Sequence, residues 1–277
     1  MNLRRLGIIG AGGMAETVLS ALAGELPDPL EHIGLLVRPA AQASAAAMLQ
    51  RAGLKVAQTT SVHTDIAGLM ASAPEIVAEC AGHSAVRQYG EIVLGEACDF
   101  LVISVGALAD DALRGALLSS AQRHGVRLVL PAGAVGGIDA LRAARLSGLH
   151  AVHYSARKPP LAWRGTAAER AVDLDAITVP IVFFEGTARQ AAVDYPQNAN
   201  VAATVAIAGL GFDATRVRLI ADPTASRNVH EIVVRAVCGD FELQIAGLPS
   251  PRNPKTSLMA GYSLAREILN RRGSLAV

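Results

Sequence analysis

A glycine turn near the N-terminus constrains this chain more than any other feature. The apolar run Leu6-Gly7-Ile8-Ile9 ends in Gly10-Ala11-Gly12-Gly13-Met14-Ala15, and a segment able to form a helix through Leu19 and Leu22 follows. Strand, tight turn and helix N-terminus in that order are what a dinucleotide-binding βα unit requires. Gly10 permits the turn, Gly12 leaves the backbone open to a pyrophosphate, and the small Ala15 lets helix and strand pack closely. The N–H groups at the positive end of the helix, with Gly13 and Met14 in its first turn, would face the phosphates. Glycine also serves packing alone in βα turns without phosphate, so the pattern takes its weight from its position.

Up to about residue 135, short β-rich runs alternate with longer helical stretches. Strands are expected at 33–37, 54–57, 75–80, 100–104 and 126–130, and helices at 40–49, 65–70, 86–94 and 111–123. Nearly continuous apolar strands between amphipathic helices imply a doubly wound, Rossmann-type parallel sheet in an α/β domain spanning 1–136. Ligands of such sheets sit beyond the carboxyl ends of the strands. Four of those ends are small or polar: Gly10–Gly13, Ala81-Gly82-His83-Ser84, Ser104-Val105-Gly106-Ala107 and the run from Pro131 to Gly137. Together they describe a cofactor groove, with Ala81 and His83 as candidate contacts. Arg38 follows the second strand, where the adenosine ribose is met. An acid there favours NAD, whereas an arginine suits the 2′-phosphate of NADP or stacks in an NAD site.

Beyond Gly137 the pattern changes. A helix (138–146) leads to a strand (150–157) that ends in Lys158-Pro159-Pro160, and 161–173 reads as a loop or short helix. A strand at 181–185 and a helix at 201–208 precede strand-like runs at 216–221, 232–237 and 241–246. Cys238-Gly239-Asp240 supplies hairpin chemistry between the last two. Consecutive strands imply a second, α+β domain over 137–255 with a mainly antiparallel sheet. Asn253-Pro254-Lys255-Thr256-Ser257 is expected to open a helix, capped by Thr256 or Ser257, that rejoins the first domain over 256–277.

Composition narrows the function classes. Of the 277 residues 51% are hydrophobic and 18% charged, which supports a large core; aromatics at 4% make that core Ala, Val, Leu and Ile. A net charge of +1 with scattered basic residues gives no field for nucleic acid. Cys80, Cys98 and Cys238 form neither a metal-ligand pattern nor a disulfide framework, so buried reduced thiols in a cytoplasmic protein are expected. The N-terminus enters a strand directly and no apolar run reaches membrane-spanning length, so a soluble protein is expected.

His230 lies in the polar stretch Ala221-Asp222-Pro223-Thr224-Ala225-Ser226-Arg227-Asn228-Val229-His230-Glu231, read here as lying between two strands. Imidazole titrates near neutrality, so a histidine there can move protons, although a histidine at a strand start also serves as a plain hydrogen-bonding residue. His83 suits cofactor contact better than proton transfer, and His63, His124, His150 and His153 lack a polar cluster and read as structural. Lys255 beside Thr256 and Ser257 at a helix N-terminus is a carboxylate receptor or a solvated lysine. Lys158 is similar, or simply ends its strand. Asn198 and Asn200 flank a helix start, where each can cap it or bind a nicotinamide carboxamide.

With these blocks in view, the chain resembles the L-aspartate dehydrogenases over essentially its whole length. The resemblance rests on Gly10-Ala11-Gly12, Pro131-Ala132-Gly133-Ala134-Val135-Gly136-Gly137, Lys158-Pro159-Pro160 and Tyr195-Pro196-Gln197-Asn198-Ala199-Asn200-Val201-Ala202. Ala221-Asp222-Pro223, Asn228-Val229-His230-Glu231, Pro249-Ser250-Pro251 and Asn253-Pro254-Lys255-Thr256-Ser257 complete it, and these later blocks are specific where the glycine turn is generic. It implies reversible oxidation of L-aspartate to iminoaspartate, and thence oxaloacetate and ammonia, with NAD or NADP. It further implies His230 as the catalytic histidine, Ala134 and Asn200 as cofactor contacts, and a dimer supported by the second domain. Asn228, Lys255, Thr256 and Ser257 are the candidates for the substrate carboxylates. The resemblance implies a product that serves NAD biosynthesis, through iminoaspartate, or general nitrogen metabolism. A homoserine dehydrogenase or dihydrodipicolinate reductase is the enzyme alternative, and a nicotinamide sensor the non-catalytic one; neither explains the blocks around His230 and Lys255.

Overall fold

The computed structural model describes residues 3–250 and 253–273, with backbone only for 197 and 253–256. The chain forms two compact units, Met1–Pro131 with Ala260–Val277, and Ala132–Met259.

In the first unit β1 (Arg5–Ile9), α1 (Gly13–Glu25), β2 (Leu30–Leu36), α2 (Gln42–Met48), α3 (Leu54–Val56), β3 (Ala57–His63), α4 (Ile66–Ala71) and β4 (Ile76–Glu79) follow one another. Next come α5 (His83–Gly95), β5 (Asp99–Val102), α6 (Asp111–His124) and β6 (Leu128–Val129). The sheet order is β3-β2-β1-β4-β5-β6, and every pairing is parallel. This is the doubly wound arrangement expected, and its direction of winding reverses between β1 and β4. The central strands are buried on both faces because helices cover both, as the unbroken burial of Ile76, Val77, Ala78 and Glu79 shows. Helix boundaries follow local chemistry. The Asp65 carboxylate accepts from Gly68 N to start α4, Asp110 caps α6, and Gly125 at φ +68° ends α6. One expectation fails here: 54–56 are helical, and the strand begins at Ala57 and runs on through polar Gln58–Ser61. That strand is at the sheet edge, where period-two burial is weak, so apolar content misplaced it.

The second unit contains α7 (Ile138–Ser147), β7 (Leu149–Lys158), α8 (Ala168–Ala171), β8 (Ile181–Thr187), α9 (Ala188–Asp194), α10 (Asn200–Ala208), β9 (Arg216–Ala221), β10 (Asn228–Ala236) and β11 (Phe241–Gly247). Its five-stranded sheet has the order β11-β10-β7-β9-β8 and is mixed: β7 and β9 are parallel, the other pairings antiparallel. The stretch 161–173 folds as a turn over Pro160–Trp163 followed by α8. A short ribbon pairs β12 (Pro249–Ser250) with β13 (Asn253–Ser257), and α11 (Leu258–Asn270) follows. Residues 253–257 are therefore strand, not the start of a helix, so Lys255 does not sit at a helix N-terminus. Ser257 directly precedes the helix, and 274–277 of the expected terminal helix lie outside the described residues. From Ala260 onward α11 places Ala260, Leu264, Ala265 and Ile268 in the core formed by Leu6, Ile8, Val18 and Leu19 of the first unit. It approaches α1 closely enough that a Cβ on Gly261 would lie 2.7 Å from Thr17 Cγ2.

All three cysteines are free, but Cys238 is exposed, against expectation, because it occupies the β10–β11 turn. No helix among the described residues is long and apolar enough to cross a membrane.

Candidate active site

The glycine turn lies at the point where the first sheet reverses its winding, the usual place for a ligand in this fold. Gly10 has φ +104°, and a Cβ there would sit 2.9 Å from the carbonyl oxygen of Cys80, so only glycine lets β1 and β4 end this close together. Its N–H donates to Leu36 O at 2.8 Å, tying the turn to the end of β2, and Arg38 stands exposed two residues beyond. Gly12 differs in kind: a Cβ there would meet nothing within 4 Å. It is the N-cap of α1 and offers no side chain to the first-turn N–H groups. An open glycine backbone at an uncapped helix N-terminus fits a pyrophosphate, so the residues present suit NAD(P).

One residue that sequence reasoning passed over organises this edge. Glu79, fully buried at the end of β4, accepts through Oε1 from Ala81 N (2.7 Å), Gly82 N (2.6 Å) and Ser104 Oγ (3.0 Å), and through Oε2 from Ser104 N (3.0 Å). Burial raises its pKa while those four bonds oppose the rise. It fixes the mouths of β4 and β5 relative to each other. The signal was an acid closing an otherwise apolar strand. Ala81 is exposed in this turn, and the half-buried His83 begins α5 behind Gly82 at φ +118°. Gly10, Gly12, Gly13, Met14, Ala81 and His83 thus gather at one sheet edge, with Arg38 beyond the neighbouring strand.

The remaining candidates belong to the second unit. Ala134 is buried in the loop after Pro131, and Asn200 is the first residue of α10. His230 lies inside β10, not between strands: β10 starts at Asn228, four residues earlier than expected, because the polar residues Asn228 and His230 occupy its buried positions. Alternation puts Asn228, His230 and Ile232 of β10 on the same buried face as Tyr154, Ala156 and Lys158 of β7, with His230 paired to Ala156. Tyr154 Oη lies 2.7 Å from His230 Nδ1, and the two rings stack with centroids 6.0 Å apart. His230 is 4% exposed; burial, with the cation of Lys158 nearby, holds its pKa down at about 3, so the ring is neutral at physiological pH. Tyr154, pushed up by burial, stays a phenol.

Lys158 is buried, and its ammonium donates to Asn198 Oδ1 at 2.8 Å and lies 4.9 Å from the centre of the Trp163 ring. Burial lowers its pKa to about 8. Asn198 therefore faces the lysine and does not cap α10, whose N-cap is Ala199 with no side-chain bond. Ser257 is buried with its hydroxyl unpartnered among the described residues, and a Cβ on Gly247, the residue paired with Asn228, would lie 3.1 Å from it. The structure thus gathers Asn228, His230 and Ser257 with Lys158 and Asn198, both candidates in the sequence, and adds Tyr154. The side chains of Lys255 and Thr256 lie outside the described residues. The missed signal was the period-two run Val152, Tyr154, Ala156, Lys158, which carries a lysine onto a buried face.

Residues 139–271 match the family model described as aspartate dehydrogenase, C-terminal, and residues 10–131 match that of the homoserine dehydrogenase NAD-binding domain. An L-aspartate dehydrogenase of Ruegeria pomeroyi is 44% identical over 96% of this chain and 92% of its own length. One from Polaromonas sp. is 40% identical over 99% of both chains. The crystal structure of aspartate dehydrogenase from Thermotoga maritima is similar over 100% of both chains with a TM-score of 0.75 at 23% identity, a likeness of fold.

Proposed function

This chain belongs to the L-aspartate dehydrogenase family, and from that premise we propose how its residues carry out the NAD(P)-dependent oxidation of L-aspartate. The observation that carries the reading is a buried His230, oriented by Tyr154, on a face that also holds Asn228, Lys158 and Ser257.

When bound, the nicotinamide supplies the acceptor for the hydride that leaves the substrate Cα. Gly10, Gly12, Gly13, Met14, Ala81 and His83, with Ala134 and Asn200, are the residues assigned to hold the dinucleotide; Arg38 is assigned to its ribose or 2′-phosphate. The chain's own chemistry is proton handling. The substrate ammonium must shed a proton before its lone pair can form the imine, and the imine then takes up water to release ammonia. His230 serves these steps as general base and acid, on the amine or on the water. For Nε2 to accept a proton, Nδ1 must keep its own, donating it to Tyr154 Oη; Tyr154 is thus a positioning residue. Substrate carboxylates oppose the field of Lys158 and raise the proton affinity of the ring, so the base strengthens when substrate arrives. Asn228, Lys255, Thr256 and Ser257 are assigned to those carboxylates.

His230→Ala should lower kcat by about 10²–10⁴-fold, the usual worth of a general acid–base group, with the Kd for NAD(P) unchanged. A near-normal kcat would remove His230 from this role.

We further assign a homodimer working in the cytoplasm. Free thiols at Cys80, Cys98 and Cys238 support a reducing setting. The dimer is supported by the outer face of the five-stranded sheet, where Arg157, Arg216 and Arg218 lie between Glu231 and Glu185 around an open groove. Light scattering that gives the monomer mass at micromolar concentration would count against it.

A further inference from the structure

The buried face of the second unit holds a cation without an anion. Lys158 is 5% exposed, and among the described residues its ammonium has two polar or π partners, the Asn198 carbonyl at 2.8 Å and the Trp163 ring at 4.9 Å. Neither carries negative charge. Asp222, whose N–H donates to the Lys158 carbonyl, has its carboxylate engaged by Arg157 and Thr224. Burial lowers the lysine pKa, and no carboxylate among the described residues is bonded to the ammonium. A buried ammonium left without a counter-ion is costly, and such charges are ordinarily paired.

Asn198 adds a pair of donors beside the cation. An ammonium can only donate, so the amide oxygen must face Lys158, which fixes the amide nitrogen on the other side. Asn198 is 8% exposed, and its Nδ2 is enclosed and without an acceptor among the described residues. A positive charge without a counter-ion and a fixed pair of N–H donors without an acceptor match one chemical group: a planar, acceptor-only anion, which is a carboxylate. His230 pairs with Ala156, two residues along β7 from Lys158, so this receptor and the histidine share one face at diagonal register.

We propose that Lys158 and Asn198 form the receptor for one carboxylate of the dicarboxylate substrate, held against the Trp163 ring and beside His230. The assignment rests on the L-aspartate reading above. It places one substrate-binding residue on the buried side of β7 and one in the turn that precedes α10, and leaves Asn228 and Ser257 for the second carboxylate.

Succinate, a dicarboxylate with no amino group, tests the receptor without turnover. Its binding is measured by calorimetry on the full chain with saturating NAD or NADP, alongside cofactor Kd and thermal midpoint. Lys158→Met should weaken succinate binding by about 30–100-fold, the worth of a charge-assisted bond, with cofactor Kd within about twofold of wild type. Asn198→Asp, which keeps the contact to Lys158 but replaces the N–H donors by a carboxylate, should weaken it at least as much. A folded Lys158→Met protein with wild-type succinate affinity overturns the proposal. Equal loss of succinate and cofactor binding with a collapsed thermal midpoint also overturns it, since the pair is then structural. If Lys158→Met does not fold, Asn198→Asp decides by the same readout. Wild-type protein that binds succinate through this pair yet does not turn over L-aspartate leaves the receptor standing and sinks the dehydrogenase reading instead.

Discussion

Lys158 and His230 are each at most 5% exposed on one sheet face, and burial disfavours the charged form of both. For Lys158 the folded value of about 8 lies below the ordinary 10.5. Its contribution to stability is fully present above pH 10.5 and is lost as pH falls through 8. His230, at about 3 against 6.5, contributes above pH 6.5 and loses that contribution as pH falls toward 3. The two windows do not overlap. Denaturant titrations at pH 8 and pH 10 should therefore show wild type gaining on the order of 2 kcal/mol relative to Lys158→Met. Parallel stabilities at the two pH values would contradict the buried, unpaired ammonium. At this scale the sequence was half legible. His230 stood out through its polar neighbours, whereas Lys158 read equally as a carboxylate receptor or as the end of a strand. Its burial depends on which face of β7 is covered, and that is a property of the sheet and not of the tripeptide Lys158-Pro159-Pro160.

The two glycines of the first turn do different work, and the element they build shows how. Gly10 is held by backbone: a side chain there would meet the Cys80 carbonyl with φ at +104°. Gly12 opens onto free space at the head of α1. Gly10→Ala should therefore cost stability, about 1–3 kcal/mol for a strained left-handed residue, together with cofactor affinity. Gly12→Val should leave the thermal midpoint within a degree or two and raise the NAD(P) Kd by about tenfold or more. Equal thermal losses for the two variants would show that Gly12 is structural and not a phosphate cradle. Boundaries of the regular elements were readable where caps spoke for them, as at Asp65, Asp110 and Gly125. They were misread where polar residues face inward. Asn228 and His230 lengthen β10 against their own hydropathy, because the buried face there is chemical and not merely apolar. Asn253–Ser257 pairs with Pro249–Ser250 despite its helix-cap composition, since a ribbon partner outweighs a local capping preference.

For the whole molecule, alternation of apolar strands with helices made the six-stranded parallel sheet legible, because its central strands are covered on both faces. The second sheet was less so: nothing local distinguishes the parallel pairing of β7 with β9 from an antiparallel one. The buried Glu79 network likewise joins residues 25 apart that no motif links. Cofactor choice belongs to this scale too, since Arg38 stands exposed beyond β2 and outside the glycine turn. If it meets a 2′-phosphate, Arg38→Ala should lower the kcat/KM ratio of NADP to NAD by about tenfold, and an unchanged ratio would release it from that role. As a whole molecule, this chain is an enzyme that moves hydride between L-aspartate and a nicotinamide. Its most direct test mixes the protein with oxaloacetate, ammonium and NADH or NADPH and follows the absorbance of the reduced nicotinamide. Protein-dependent oxidation with at least one of the two cofactors, and formation of L-aspartate in equal amount, is the result predicted; no oxidation of either would contradict it.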